Sequence, residues 1–348
     1  MKANQETDAT EPFDVTTVRD RLRELGELDA DHTLDVRLLA GGRSNLTYVL
    51  SSSAGREWIL RRPPIGSRLE TAHDMGREVT IQRALSDSAV PVPRIVFYDA
   101  DADHAGGSYY IMDRVVGDVL RTDAEFSALE QRHRDPLSYE YIDALAALHT
   151  VDYTSLELEN FGRPSGYLER QVRRWTKQFA ASKSRELPLV EQLGSALAER
   201  IPHTCAHAIV HGDFRFDNMI IGVDPSPRIA AVLDWEMSTL GDPLTDLGLV
   251  HLFWSGWEGI DNPIAGTPSS HSGYPSFEDI AERYAVSTGF DLDGLGWYSS
   301  FAFFKMAIIL EGIHLRFTNN ETVGEGFENI GTMVAPLAER GLAALSGS

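Results

Sequence analysis

His211-Gly212-Asp213-Phe214-Arg215-Phe216-Asp217-Asn218, followed by Val232-Leu233-Asp234-Trp235-Glu236, is the stretch from which the fold of this chain can be read. Asp213 and Asn218 stand five positions apart, with apolar Met219, Ile220 and Ile221 directly behind them. Asp234 ends a second apolar run, Ile229 to Leu233. Two short strands bracketing a turn would carry all three oxygen-bearing side chains to one end of a hairpin. Such an end can hold a divalent metal and a substrate hydroxyl together.

Those residue types suit phosphoryl transfer. The reaction asks little covalent chemistry of a protein: a metal to neutralise charge, a group to take the hydroxyl proton, and positioning. Mg²⁺ prefers oxygen and takes few carboxylates from protein. Asn218 and Asp234 fit that sparse ligand set, which leaves Asp213 to orient or deprotonate the acceptor alcohol. Asp217 is the weaker candidate, because Asn218 beside it already fills the ligand position. His211 reads as a buried histidine bonded to backbone.

The spacing His-x-Asp-x-x-x-x-Asn with a later metal-binding Asp matches the kinase catalytic loop. Gly212 in place of the usual Arg resembles the aminoglycoside phosphotransferase and choline-kinase-like family. Asp234-Trp235-Glu236 and Gly241-Asp242-Pro243-Leu244-Thr245-Asp246-Leu247-Gly248 resemble the same branch. Arg61-Arg62-Pro63-Pro64 with Ala72-His73-Asp74-Met75-Gly76-Arg77-Glu78 looks like the phosphotransferase domain joined to acyl-CoA dehydrogenases in some eukaryotic proteins. The resemblance runs from about Leu38 to the C-terminal helices. It implies an α+β, protein-kinase-like bilobal fold, with an antiparallel sheet plus a helix in the N-lobe and a mostly helical C-lobe. ATP and Mg²⁺ are the cofactors it implies.

The N-terminal half reads accordingly. Val15, Val18, Leu22, Leu25 and Leu28 recur at helical spacing over residues 15 to 30, with Thr16 or Thr17 as the cap. Val36 to Leu39, Leu46 to Leu50 and Trp58 to Arg61 form an antiparallel meander. Between the first two, Gly41, Gly42, Ser44 and Asn45 sit where kinase-like folds cover the ATP phosphates; glycine lets backbone amides approach them. Arg61 stands where a kinase carries its phosphate-binding Lys, with Arg62 aimed oppositely by strand alternation. Arg can clamp phosphate through two nitrogens. Its expected partner is Glu78, in a helix from about His73 to Ser86. Ile95 to Tyr98 and Tyr109 to Met112 are further strands. Asp113 to Gly117 reads as a hinge whose backbone, at Arg114 and Val115, would meet the adenine edge, with Met112 lining the adenine pocket or simply in the core. The expected organisation is a disordered lead-in over 1–14, a nucleotide-binding lobe over 15–116, and a catalytic and substrate lobe over 117–348.

Beyond the hinge the pattern turns helical. Helices are expected near 137–149, 167–179, 189–201, 244–254, 277–287, 297–316 and 329–345, with a Gly- and Pro-rich loop over 255–276. Trp175, Phe179, Trp235, Phe253, Trp254 and Phe301 are among many rings here; most are expected in the core, and the roughly one third that would face a pocket suit an acyl chain better than a polyamine. The resemblance implies a small hydroxylated acceptor, and with its acyl-CoA dehydrogenase link a hydroxyacyl thioester. Arg170, Arg173, Arg174 and Lys177 could meet its phosphates. A nucleotide-binding pseudokinase and an aminoglycoside-resistance kinase are the alternatives; the intact Asp213, Asn218 and Asp234 set argues against the first.

Bulk properties narrow the field. A formal net charge of −21 argues against nucleic acid, which is bound through basic contacts to phosphate. No apolar run approaches membrane-spanning length. The acidic N-terminus lacks the features of a secretory signal, and one cysteine, Cys205, suits a reducing cytoplasm. Monomer and homodimer both stay open.

Overall fold

Strand alternation builds the first unit. The computed structural model describes residues 13–39, 45–63, 75–100, 107–222, 225–260, 266–268, 271–321 and 327–347. Within it the chain divides into two compact units, one of residues up to 86 with 92–115 and the other of 87–91 with 116 onward. In the first, β1 (Leu34–Leu38), β2 (Leu46–Ser52), β3 (Glu57–Arg62), β4 (Ile95–Asp99) and β5 (Tyr109–Asp113) make one antiparallel sheet in the order β1-β2-β3-β5-β4. Successive side chains of a strand point to opposite faces. Tyr48, Leu50, Trp58 and Leu60 therefore pack with α1 (Val15–Glu24), through Val18 and Leu22. Val49, Ile59, Tyr110 and Met112 pack on the other face against Met75 and Val79 of α2 (Met75–Leu85).

The helix start differs from expectation. Asp14, not Thr16 or Thr17, caps α1: its carboxylate accepts the Thr16 and Thr17 amides at 2.9 and 3.3 Å. An Asp presents an acceptor to two orphan amides at once and suits the positive end of the helix dipole. Phe13 is buried edge-on against Tyr48, 5.2 Å between ring centres. Phe13 and Asp14 thus belong to the folded first unit, within the segment expected as lead-in, of which residues 1–12 lie outside the described residues. The helix also stops at Glu24 rather than running on to 30, because Gly26 takes a φ of +71°.

The second unit is helical around two small hairpins. Its helices are α3 (Asp123–Ala128), α4 (Gln131–Thr150), α5 (Tyr167–Ser182), α6 (Pro188–Glu199), α7 (Leu244–Trp254), α8 (Phe277–Thr288), α9 (Leu295–Thr318) and α10 (Val334–Ser346). Strands β6 (Ala208–Val210) and β9 (Thr239–Gly241) pair antiparallel, as do β7 (Met219–Gly222) and β8 (Arg228–Val232). Helix α9 is apolar nearly all round and packs against α5, α6, α7 and α10, as an all-apolar helix must. Trp254, Trp257, Trp297, Tyr298 and Phe304 are at most 2 % exposed and form core, as expected of most of the C-terminal rings. Among the described residues no helix is long and apolar enough to cross a membrane.

Candidate active site

The loop after β6 is held from below by one buried acid. Asp246, on α7, is 1 % exposed; its Oδ2 accepts the His211 amide at 2.7 Å and its Oδ1 the Gly212 amide at 2.8 Å. His149 of α4 adds Nε2 at 3.2 Å, and its Nδ1 meets the Tyr284 hydroxyl at 2.7 Å. Burial alone would push the Asp246 carboxyl up. The His149 hydrogen bond and the Gly212 amide oppose that, and the carboxyl lies below its ordinary range.

His211 is itself fully buried, as expected of a structural histidine. Its Nδ1 accepts the Asp213 amide at 3.2 Å and its Nε2 donates to the Leu233 carbonyl at 3.0 Å, a pattern one tautomer satisfies. The same histidine thereby ties the loop to the residue before Asp234. A second tie is the Leu233 amide, which donates to the Asn218 carbonyl at 2.8 Å. These bonds bring Asp213, Asn218 and the 233–234 segment to one end of the β7–β8 hairpin.

The side chains continue the pattern. Asn218 turns Nδ2 toward Asp213, donating to its carbonyl at 2.9 Å and its Oδ2 at 2.8 Å, which directs the amide oxygen elsewhere. Asp213 is about a third exposed, and Arg215 Nε reaches the same Oδ2 at 3.3 Å. Arg215 also bridges to Asp217 at 2.9 Å and lies over Phe253, 5.1 Å from the ring centre. Burial raises the Asp217 carboxyl to about 6 against the pull of Arg215. Asp217 lines a narrow cavity with Tyr141, Phe216, Phe253 and Trp254. Asp234 adopts left-handed backbone, φ 66° and ψ 64°, uncommon for a residue with a side chain. Its carboxylate and that of Glu236 offer oxygens within 4.8 Å of each other.

The first unit holds the other half of the expected set. Arg61 lies on the α2 face of the sheet and its Nη1 meets Glu78 Oε2 at 2.9 Å. Glu78 is 1 % exposed and also accepts from the Tyr110 hydroxyl at 2.8 Å and from Asn45 Nδ2 at 3.4 Å. Burial raises the Tyr110 phenol well above its ordinary value, so it stays a donor. Arg62 points to the opposite face beside Tyr48, as alternation requires. Asn45 is buried against Glu78. Met112 is buried in the sheet core with Ile59 and Val79. Arg114 is exposed and pairs with Glu57 through its side chain, and Val115 is half-buried. Gly41, Gly42 and Ser44 lie outside the described residues.

Several polar residues at this site carry no expectation from the sequence. Asp246 and His149 are two, and Arg215 is a third. Lys305 is the fourth: from the middle of α9 its Nζ donates to the Gly212 carbonyl at 2.9 Å. The available signal was a charge inside an apolar stretch of helix, present at Asp246 in α7 and at Lys305 in α9. Cys205 is exposed as a residue, but its thiol lies 3.8 Å from an Asp242 oxygen and is pushed up to about 12 by partial burial of the sulfur and by that carboxylate.

Known proteins resemble this chain. A profile of the phosphotransferase enzyme family APH matches residues 35–288. Human acyl-CoA dehydrogenase family member 11 is 33 % identical over 317 residues, which cover 90 % of this chain but 40 % of that protein. A solved structure from Ralstonia eutropha, assigned as an aminoglycoside phosphotransferase, superposes with a TM-score of 0.82 at 30 % identity, covering 96 % of this chain and 99 % of that one. The ternary complex of APH(2″)-IIa with streptomycin and ATP shares the fold at TM-score 0.54 and 14 % identity, covering 96 % of each chain. With a profile spanning most of the sequence and a kinase-like fold in hand, this chain belongs to the APH phosphotransferase family.

Proposed function

We propose that the chain is an ATP- and Mg²⁺-dependent small-molecule kinase that phosphorylates a hydroxyl group, with Asp213 as proton acceptor. The observation that carries this is the double hydrogen bond from Asn218 to Asp213, which sets a carboxylate and an outward amide oxygen side by side. The acceptor's hydroxyl oxygen bonds to the γ-phosphorus, the bond from that phosphorus to the ADP oxygen breaks, and the proton passes to Asp213. Asn218 Oδ1 and the Asp234 carboxylate would hold Mg²⁺, and an all-oxygen donor set suits that hard ion. When bound, the metal neutralises charge on the phosphates. Arg61, steadied by Glu78, is the phosphate contact; Asn45 with Gly41, Gly42 and Ser44 belongs to the phosphate-covering loop, and Met112, Arg114 and Val115 to the adenine contacts.

The acceptor is a hydroxyacyl thioester. Two things support this reading. The likeness to acyl-CoA dehydrogenase family member 11 spans nearly all of this chain. In a chain with 52 acidic and 31 basic residues, Arg173, Arg174 and Lys177 of α5 have no carboxylate partner among the described residues. All three line a shallow groove along α5, and Arg174 with Trp175 and Arg316 edges a second one between α5 and α9; both suit a phosphate-bearing carrier. The test is a panel of alcohols, from kanamycin to 4-hydroxyacyl-CoA, assayed for ADP release with Mg-ATP. Turnover of the thioester above the others is the expected result. Turnover of kanamycin alone identifies a resistance kinase, and a chain that binds Mg-ATP without turning over any alcohol is a pseudokinase.

A further inference from the structure

Gly212 is the pivot of the catalytic loop, and it is gripped from both sides. Its φ of +84° is a left-handed conformation that glycine adopts without strain. A glycine peptide in that region is free to rotate unless its polar atoms are fixed. Here Asp246 of α7 takes the Gly212 N–H at 2.8 Å, and Lys305 of α9 takes the Gly212 C=O at 2.9 Å. That carbonyl belongs to the peptide whose N–H is the Asp213 amide, bonded to His211 Nδ1. Lys305 therefore holds one end of the peptide plane from which the Asp213 side chain departs.

The environment of Lys305 fits that task. From Trp297 to Leu310 only Lys305 and Ile309 are not buried, so an ammonium has been placed in an otherwise uncharged stretch of helix. Its Nζ lies 5.7 Å from the centre of the Trp175 ring on α5. Among the described residues it has no carboxylate within ion-pair distance, so the Gly212 carbonyl is its one close hydrogen-bond partner. A cation whose purpose was to stabilise α9 would sit better at the helix end or against an acid.

We infer that Lys305 is a positioning residue for phosphoryl transfer: its ammonium clamps the Gly212–Asp213 peptide so that the Asp213 carboxylate faces the acceptor hydroxyl. The inference rests on the phosphotransferase reading for its kinetic consequences and on geometry alone for its structural one. The charged groups facing Lys305 are Asp213 and Arg215 of the loop, Asp246 of α7 and Arg174 of α5. Burial lowers the Lys305 pKa, the two acids oppose that shift, and the two arginines add to it. The clamp therefore lets go at a pH below the ordinary lysine range.

Two measurements test this. Hydrogen exchange by mass spectrometry on the full chain without substrate follows the peptide containing residues 208–218. Lys305→Met should speed exchange of the amides in this segment at least tenfold, while segments of α9 and α10 stay as in the parent. Unchanged exchange in 208–218 overturns the inference, and this arm stands whatever the acceptor proves to be. The second arm follows ADP release, with the alcohol the panel identifies or with water in its place. Lys305→Met should lower kcat about 10²-fold, the penalty of a displaced catalytic group, with KM for ATP within about threefold. Lys305→Arg should restore most of kcat and carry the alkaline limb of the kcat profile to higher pH, because guanidinium keeps its proton. A merely structural lysine would leave the limb where it was. If Lys305→Met fails to fold, the alkaline limb of Lys305→Arg decides alone, and an unmoved limb overturns the inference.

Discussion

Asp246→Asn removes almost no volume and one charge, so its effect can be worked from the hydrogen bonds alone. The carboxylate accepts two backbone amides, His211 at 2.7 Å and Gly212 at 2.8 Å, and meets His149 at 3.2 Å. An asparagine has a single acceptor oxygen. It can serve one of the two amides, and its own NH₂ then confronts the other donor. One buried donor is left unsatisfied, at about 1–3 kcal/mol, and the surviving bond is no longer charge-assisted. A loss of about 3 kcal/mol is a large share of the roughly 5–15 kcal/mol that holds a domain folded. At roughly 2–4 °C per kcal/mol for a unit of this size, melting should fall by about 6–12 °C.

The pH dependence gives an independent check. The folded Asp246 carboxyl titrates below its ordinary value. Its stabilisation is thus fully present above the unfolded value, roughly pH 4, and disappears as pH falls through the lower folded value. Thermal melts of parent and Asp246→Asn, followed by near-ultraviolet circular dichroism, should be clearly separated at neutral pH. The gap should close only below about pH 4. A variant melting within about 2 °C of the parent at neutral pH would refute the reasoning, as would a gap that persists undiminished at pH 3.

Other perturbations report on the parts of the site separately. Asp213→Asn should cut turnover by about 10²–10⁴-fold without lowering the melting temperature, and turnover within twofold of the parent removes Asp213 from its role. Gly212→Ala forces a side chain into left-handed backbone at roughly 1–2 kcal/mol, with its Cβ 3.0 Å from Met237; a stable variant with parental kcat contradicts the pivot described above. Glu78→Gln leaves Arg61 without its carboxylate, and loss of one charge-assisted bond should raise KM for ATP by about tenfold or more; an unchanged KM detaches the pair from nucleotide binding. Asp234→Ala should abolish the rise in melting temperature that Mg-ATP produces over ATP alone, and an undiminished rise excludes Asp234 as a metal ligand.

What could be read from the sequence follows from how local each signal is. The β7–β8 hairpin and helix α7 were legible because strand and helix periodicity show in a few neighbouring residues. Pairing of Arg61 rather than Arg62 with Glu78 follows from alternation alone, once Ile59 is known to face α2. The β6–β9 pair was not legible: each strand has three residues, and their pairing joins Ala208 to Gly241 across the whole hairpin. The short helix α3 escaped for lack of length, although its Thr122 and Glu125 form a capping box.

The larger omission was physical. Residues that hold the loop, Asp246, His149 and Lys305, come from three helices far apart in sequence. Each reads locally as a defect in an apolar surface. A charge set in an apolar stretch of helix and withdrawn from water is costly unless something meets it. In α7 that something is two amides and an imidazole, and in α9 a backbone carbonyl and an aromatic face. Both lead to the same glycine. The helical core here therefore has a role besides burying surface: two of its helices each contribute one charge to fix a single flexible peptide, and the position of Asp213 depends on both.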